Sequence, residues 1–520
     1  MGERQADELH AWAARTPDKS ALLFPQSGGE ESFASLDAAA NRLAQALIGL
    51  GLDAGDMIAV LLENRPEIFT IAWAARRAGL YYAMLNTHLR PRELAYLIED
   101  SGARLLITSS ALLAEVPGEA RRRVPVILVD GDAGARALSL AALIAPYAAG
   151  APLPERPIGR EFLYSSGTSG LPKGILHALL PADQRGRPQP GERGIEMALR
   201  LGAENIYLSP APLYHAAPHA YSLFVLSRGG SVVVLEKFTP EAALAAIARY
   251  RVTLSQFVPT MFIRLLALPA EVRARYDISS LRRVIHAAAP CPVHVKEKMI
   301  AWWGPILVEY YAGSERIGLT LIEPEDWLTH KGSVGRAVVG EIHILDEDGR
   351  ELPPGEVGGI WFANVPRFAY HHAPEKTASS FNERGYATYG DLGMLDAEGY
   401  LYLSDRRSDL ILSGGSNVYP AEIESVLLEH PLIADAAAVG IPDPDLGEVV
   451  LAVVQPVAAP ESIGLTPEAV IAFCRERMAT VKCPRVAVFM EKLPRTPTGK
   501  LLRRELKEKY RSEMAPAARS

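Results

Sequence analysis

The sequence predicts an α/β fold: a large, multi-subdomain N-terminal domain with mostly parallel sheets flanked by helices, followed by a small α+β C-terminal domain. Three observations carry this. Short apolar runs at Met57–Leu62, Leu105–Thr108 and Val126–Val129 fit strands buried on both faces. Helical patterns lie between them, and helices between buried strands mean crossovers and parallel pairing. From about Gly332 glycine and proline become frequent, and the short segments Glu341–Leu345 and Val357–Ala363 read as antiparallel strands.

Taken in order, Leu36–Gly51 carries Leu36, Ala39, Leu43, Ala46, Leu47 and Leu50 at helical spacing and stops at glycine. A second apolar helix, Ile68–Ala78, ends at Gly79, and Pro91 opens another. Glu161–Tyr164 starts a strand, and Ser231–Leu235 is a β-branched one. Thr239-Pro240-Glu241 then caps a helix over Ala242–Tyr250. Ile306–Tyr311 is strand-like. A boundary falls near Asp405-Arg406-Arg407-Ser408, giving domains 1–405 and 406–520. The tail has its own pattern. A helix starts at Tyr419-Pro420-Ala421-Glu422, and Ala437–Val439 and Val449–Val454 are strands. Thr466-Pro467-Glu468 caps a further helix, and Val486–Met490 is a last strand.

Composition excludes several classes of function. With 54 Lys+Arg against 61 Asp+Glu the 520-residue chain carries a net charge of −7 and has no basic block, so nucleic-acid binding is not expected. Three cysteines without C-x-x-C spacing argue against a disulfide scaffold or a structural zinc site and favour a reducing compartment. No apolar stretch is long enough to span a bilayer, and the charged start MGERQADELHAW lacks the apolar core of a secretion signal. The expectation is a cytoplasmic enzyme with no integral membrane segment; a homodimer stays open.

One segment dominates the chemistry: Leu163-Tyr164-Ser165-Ser166-Gly167-Thr168-Ser169-Gly170-Leu171-Pro172-Lys173-Gly174. Its glycines let backbone N–H groups approach a polyanion, its hydroxyls add donors, and Lys173 adds a mobile positive charge. That combination suits a triphosphate. It is not a Walker A loop, because Lys173 is followed by Gly174 where Ser or Thr is needed.

The segment resembles the phosphate-loop signature of the adenylate-forming superfamily, which includes acyl- and aryl-CoA synthetases, peptide-synthetase adenylation domains and luciferases. Further motifs follow in the family's order. These are Pro212-Leu213-Tyr214-His215, His286-Ala287-Ala288-Ala289-Pro290, Tyr311-Ala312-Gly313-Ser314-Glu315, Gly390-Asp391-Leu392-Gly393, Asp405-Arg406, Ser413-Gly414-Gly415 through Pro420, and Pro494 through Lys500. The likeness covers nearly the whole chain and is strongest to bacterial fatty-acyl-type acyl-CoA synthetases.

The resemblance implies an AMP-forming ligase using ATP, Mg²⁺ and CoA. The acid is activated as an acyl adenylate and passed to the CoA thiol. Two anions must meet at the α-phosphorus, so positive charge has to offset their repulsion. Ser166, Gly167, Thr168, Ser169, Gly170 and Lys173 are implied in holding phosphates, and Ala288, Ala289 and Pro290 in facing adenine. Tyr311, Ala312 and Gly313 complete the nucleotide site. Ser314 is implied to donate to the α-phosphate and Glu315 to hold Mg²⁺, an oxygen ligand for a hard cation. Asp391 fits a ribose diol, with Arg406 on ribose or phosphate. Lys500, presented by a shaped loop, bridges carboxylate and phosphate oxygens during adenylation. The small domain is implied to swing about Ser408, after which Gly414 and Gly415 line the passage of the pantetheine thiol. His215 reads either as a residue bordering the acyl site or as a packed histidine.

Some positions depart from the common pattern. Tyr389 stands where Thr is usual, Arg316 follows the magnesium-site glutamate, and Ala287 and Ala288 replace glycines. The sequence assigns no role to Arg316 or Tyr389. The segments His215–Tyr221, Phe257–Met261, His286–Ala289 and Val308–Gly313, expected to wall the acid, are mostly apolar or small. That favours a hydrophobic carboxylic acid: fatty, branched, steroid-derived or arylalkanoic. The alternatives are an enzyme loading an acyl carrier protein, an aryl- or phenylpropenoic-acid–CoA ligase, and a non-enzymatic nucleotide or acyl sensor.

Overall fold

The computed structural model describes residues 7–131, 137–165, 172–187, 199–406, 409–413, 416–443, 446–460, 464–478, 480–496 and 501–513. Contacts divide the chain into two compact units. The first comprises Met1–Phe257, Leu268–Ile285 and Pro366–Ser379; the second comprises Val258–Ala267, His286–Val365 and Ser380–Ser520.

The first unit is α/β, as the buried runs require. Arg160–Ser165, Tyr81–Met84, Met57–Leu61, Leu105–Thr108, Val126–Leu128 and Ala137–Ser139 lie side by side in that order, all parallel. All five residues of Met57–Leu61 are buried, which explains a run with no polar alternation. The helix Glu67–Ala78 ends on Gly79 at φ 74°, the left-handed conformation that glycine adopts without a Cβ penalty. A second, parallel set joins Ser20–Phe24, Ser231–Val234, Ile206–Ser209 and Leu254–Phe257. Thr239 caps Pro240–Tyr250 by accepting a hydrogen bond from the Ala242 N–H at 3.1 Å.

Pairing in the second unit is antiparallel through residue 406. Leu307–Ala312, Leu319–Ile322 and Arg336–Val339 form one run. Glu341–Leu345, Gly358–Ala363, Asp391–Leu395 and Leu401–Arg406 form another. Within this unit antiparallel pairing already includes Leu319–Ile322, ahead of the Gly/Pro-rich region that signalled it.

The C-terminal stretch has its own core, with Ile411, Val418, Ile423, Leu427, Val450, Val454 and Val470 in one cluster. Its central strands are longer than the sequence predicts. Ile433–Asp443 and Gly447–Pro456 pair as a long antiparallel ribbon within a five-stranded sheet, where short strands at Ala437–Val439 and Val449–Val454 are expected. Gly440, Pro442 and Pro456 mask the strand signal, and the cross-strand ladder overrides them. Among the described residues, no helix is long and apolar enough to cross a membrane.

Candidate active site

In the first unit the ends of the phosphate-loop segment are fixed. The strands Arg160–Ser165 and Lys173–Leu176 pair antiparallel, with Ser165 opposite Lys173. Ser166, Gly167, Thr168, Ser169 and Gly170 lie outside the described residues. The Tyr164 hydroxyl donates to Asp100 at 2.9 Å, and burial together with that carboxylate pushes the phenol well above its ordinary range. Gly174 has a local cause, separate from polyanion approach. A Cβ there would lie 2.2 Å from the Phe162 ring, so only glycine fits between strand and core.

The Pro212–His215 motif leads into the helix Ala216–Ser227, for which His215 is the N-cap. Asn64, buried on the chain between Leu62 and Pro66, clamps this motif. Its amide donates to the carbonyls of Ala211 (3.1 Å) and Leu235 (2.8 Å), and its carbonyl accepts from the Leu213 N–H (2.7 Å). His215 packs 4.4 Å from the Tyr214 ring, with Nε2 buried and without a hydrogen bond. Burial, with a contribution from His88, lowers its pKa to about 4, so the ring is neutral at physiological pH.

The second unit brings several sequence-nominated residues together. The Tyr311 hydroxyl donates to Asp391 Oδ2 at 2.6 Å, joining the strand Leu307–Ala312 to the strand Asp391–Leu395. Asp391 opens that strand, opposite Arg406, and the turn conformation belongs to Gly390 at φ 81°. Asp391 is thus a strand residue beside the turn. After Ala312 the chain forms a tight loop, closed by the Arg316 N–H on the Gly313 carbonyl at 3.1 Å, with Arg316 left-handed at φ 56°. Ser314 and Glu315 lie on this loop. A Cβ on Gly313 would meet the Tyr389 ring at 2.3 Å and Glu315 Oε2 at 2.8 Å, which explains the glycine.

The His286–Pro290 turn leaves Ala288 and Pro290 exposed, Ala289 part-buried and Ala287 buried. Ala288 takes φ 76°, a conformation that the glycine it replaces adopts without cost. The side chain of Arg406 and residues Gly414, Gly415 and Lys500 lie outside the described residues, as does the expected pivot at Ser408.

Below the turn is a charged pair that the sequence reading missed. Lys296 Nζ, fully buried, donates to Glu309 Oε2 at 2.7 Å and lies 4.5 Å from the centroid of the Trp327 ring. His286 Nε2 is 3.6 Å from the same carboxylate oxygen. Burial pushes the Glu309 pKa up against the pull of the Lys296 ammonium. The segments expected to be apolar or small thus include a buried carboxylate and imidazole. Lys296 sits on the helix Val293–Trp303 among charged neighbours, so its sequence signal is that of a solvated face.

The family model described as AMP-binding enzyme matches residues 9–365, and that described as AMP-binding enzyme C-terminal domain matches 422–500. The chain belongs to the AMP-binding enzyme family. It is 31% identical over 510 residues to long-chain-fatty-acid–CoA ligase FadD13 of Mycobacterium tuberculosis, covering 96% of this chain and 97% of that protein. It is 33% identical to sulfoacetate–CoA ligase of Cupriavidus necator over 505 residues, 95% of each chain. Among solved structures, o-succinylbenzoate CoA synthetase from Bacillus subtilis in complex with its acyl-adenylate intermediate superposes with a TM-score of 0.80 at 29% identity, covering 97% of this chain and 98% of that one.

The residues of this family member present a donor set that suits magnesium and a nucleotide. Among the described residues no group of three or more His, Cys, Asp or Glu could hold a metal by itself. A cation at Glu315 would complete its shell with phosphate oxygens and water, as Mg²⁺ commonly does. The Ser314 hydroxyl stands next to Glu315 in the chain, and the Asp391 carboxylate accepts from Tyr311 on the neighbouring strand.

Proposed function

We propose that the protein is an ATP-dependent acid–thiol ligase that activates a hydrophobic carboxylic acid as its acyl adenylate and transfers the acyl group to CoA. The observation that carries this reading is the loop Gly313–Gly318 with Ser314 and Glu315, tied to the Tyr311–Asp391 pair within a family member. Adenylation breaks the bond between the α- and β-phosphates as the acid's carboxylate oxygen attacks the α-phosphorus, and pyrophosphate leaves. Lys173 and the hydroxyl-rich loop before it hold the leaving phosphates. Ser314 donates to the α-phosphate, and Asp391, fixed by Tyr311, orients the ribose. Glu315 would hold Mg²⁺, which neutralises charge on the phosphate oxygens. Lys500 contributes its ammonium group between carboxylate and phosphate. His215, neutral at working pH, shapes the acyl side without adding a charge. In the second half-reaction the thiol of CoA attacks the acyl carbonyl and AMP leaves. Residues 406–520 act as the mobile lid, presenting Lys500 for the first step and Gly414-Gly415 for the second.

A hydrophobic acid is favoured by Phe257, Met261 and Tyr221, all buried on the segments expected near it. Relatives at nearly equal identity are named for a long-chain fatty acid and for sulfoacetate, so identity alone does not choose the acid. A cytoplasmic location fits the cysteines, all described and none in a disulfide. The test is AMP release with ATP and Mg²⁺, with and without CoA, across fatty, aryl and steroid acids. Acid-dependent release accelerated by CoA supports the reading. Release indifferent to CoA points to carrier-protein loading, and no acid-dependent pyrophosphate exchange overturns the enzyme assignment. Lys500→Ala should slow adenylation by about 10²–10³-fold and leave thioester formation from supplied acyl adenylate largely intact. Equal loss of both steps refutes the two-faced lid.

A further inference from the structure

Tyr389 stands where the sequence pattern leads one to expect threonine, and nothing in the motif assigns it a task. In the structure its hydroxyl accepts hydrogen bonds from the backbone N–H groups of Ile317 (3.1 Å) and Gly318 (3.2 Å) and lies 2.9 Å from the Gly318 carbonyl, to which it donates. Its ring lies against Gly313, where a Cβ would come within 2.3 Å of Cε1. One side chain therefore touches the loop Gly313–Gly318 at both ends. Between those ends sit Ser314, Glu315 and the left-handed Arg316.

The anchor is itself anchored. Tyr389 packs edge-on against Tyr311 at 5.6 Å and against Phe362 at 5.8 Å. Phe362 also closes the far side of the loop, since a Cβ on Gly318 would meet its ring at 2.2 Å. On the flanking backbone, the Thr388 hydroxyl donates to the Ile360 carbonyl (2.7 Å) and accepts from the Gly390 N–H (2.9 Å). Two residues on, Asp391 holds Tyr311. The segment Thr388–Asp391 thus fixes the strand before the loop through Asp391 and the loop itself through Tyr389.

We propose that Tyr389 is a positioning residue for adenylation: its hydroxyl and ring fix the Gly313–Gly318 loop so that Ser314 and Glu315 stand preformed for the α-phosphate and its magnesium. A threonine at this position would be too short for the same span, since the phenol reaches the loop backbone across the width of its ring. The proposal rests on the functional reading above. It extends that reading by assigning the departure from the family pattern to the geometry of the loop. A preformed donor set matters because misplacing a reacting contact by about 1 Å can cost roughly a hundredfold in rate.

The test is Tyr389→Phe in the full-length protein, which removes the hydroxyl and keeps the ring. Two readouts are needed. Hydrogen–deuterium exchange of the peptide spanning 313–318 should speed up about tenfold or more, as expected for losing hydrogen bonds to a partly buried loop. Mg²⁺–ATP should protect this peptide in the wild type and protect it much less in the variant. In turnover, the rate of acid-dependent pyrophosphate exchange should fall roughly ten- to hundredfold with a several-fold higher half-saturating Mg²⁺. Thioester formation from supplied acyl adenylate should stay within about twofold. Faster exchange with unchanged adenylation would make Tyr389 a merely structural residue and overturn the proposal. An equal fall in both half-reactions would overturn it too. A wild type inactive on every acid, but with the Mg²⁺–ATP protection present and lost in the variant, would sink the functional reading and leave the positioning role standing.

Discussion

Replacing Lys296 by methionine removes one charge from a buried pair while keeping length and volume, so little cavity is created. At 2.7 Å, with an effective dielectric constant near 20, the attraction to Glu309 is about 6 kcal/mol. The desolvation of two ions offsets much of it, and the intact pair contributes little net stability. The single substitution is costly because the carboxylate stays behind in the core without its counter-charge. The expected loss is about 3–5 kcal/mol, part of it the contact with the Trp327 face.

Denaturant unfolding read by tryptophan fluorescence measures this loss. Lys296→Met/Glu309→Leu should recover most of it, because an apolar pair of similar volume carries no stranded charge. A pH dependence follows. Burial already raises the Glu309 pKa, and removing the ammonium removes the main opposing pull. A folded-state pKa above the unfolded value means that the folded state binds more protons, so stability rises as pH falls. The deficit of Lys296→Met should be largest above pH 7 and shrink towards about pH 5. A double variant as unstable as the single one, or a deficit that widens on acidification, would refute the reasoning.

Three further outcomes are expected. Asn64→Ala strands the Leu213 N–H and the carbonyls of Ala211 and Leu235, and should cost about 2–4 kcal/mol in denaturant titration. Asn64→Asp should not restore it, since an ionised carboxylate donates no hydrogen bond. His215, with its pKa lowered to about 4, should show no ring titration by NMR between about pH 5 and 8. The wild type and His215→Gln should accordingly share the same limbs in the pH–rate profile of adenylation; a titration midpoint near 6.5 contradicts this. Gly313→Ala places a methyl 2.3 Å from the Tyr389 ring and should lower the pyrophosphate-exchange rate at least tenfold, measured at saturating Mg²⁺–ATP.

Much of the scaffold is legible in the chain because its signals are local. Met57–Leu61 is a strand buried on both faces, and nothing but an unbroken apolar run satisfies that. Thr239 and Thr466 cap their helices through bonds three residues long, so the motif carries its own geometry. The long ribbon Ile433–Asp443 with Gly447–Pro456 is different. Its extent is set by the partner strand, and the glycine and prolines inside it speak for turns when read alone. The motif residues are legible one by one as well, but their purposes are not always those the motif implies. Gly174 belongs to Phe162, and Gly313 and Gly318 make room for Tyr389 and Phe362.

The sequence alone determined the class of fold and the order of the motifs. It also nominated candidates for phosphate, ribose and magnesium, because such motifs reside in short stretches of chain. What holds them is set by contacts between distant parts of the chain. Asn64 reaches the Pro212–His215 motif from far back in the sequence, and Lys296 stands in the core against Glu309. Tyr389 bonds to a loop that precedes it by more than seventy residues in the chain. These contacts exist because chain folding brings distant groups to hydrogen-bond distance, where burial makes an unmet donor or charge expensive. Periodicity and motif spacing carry no record of such pairings.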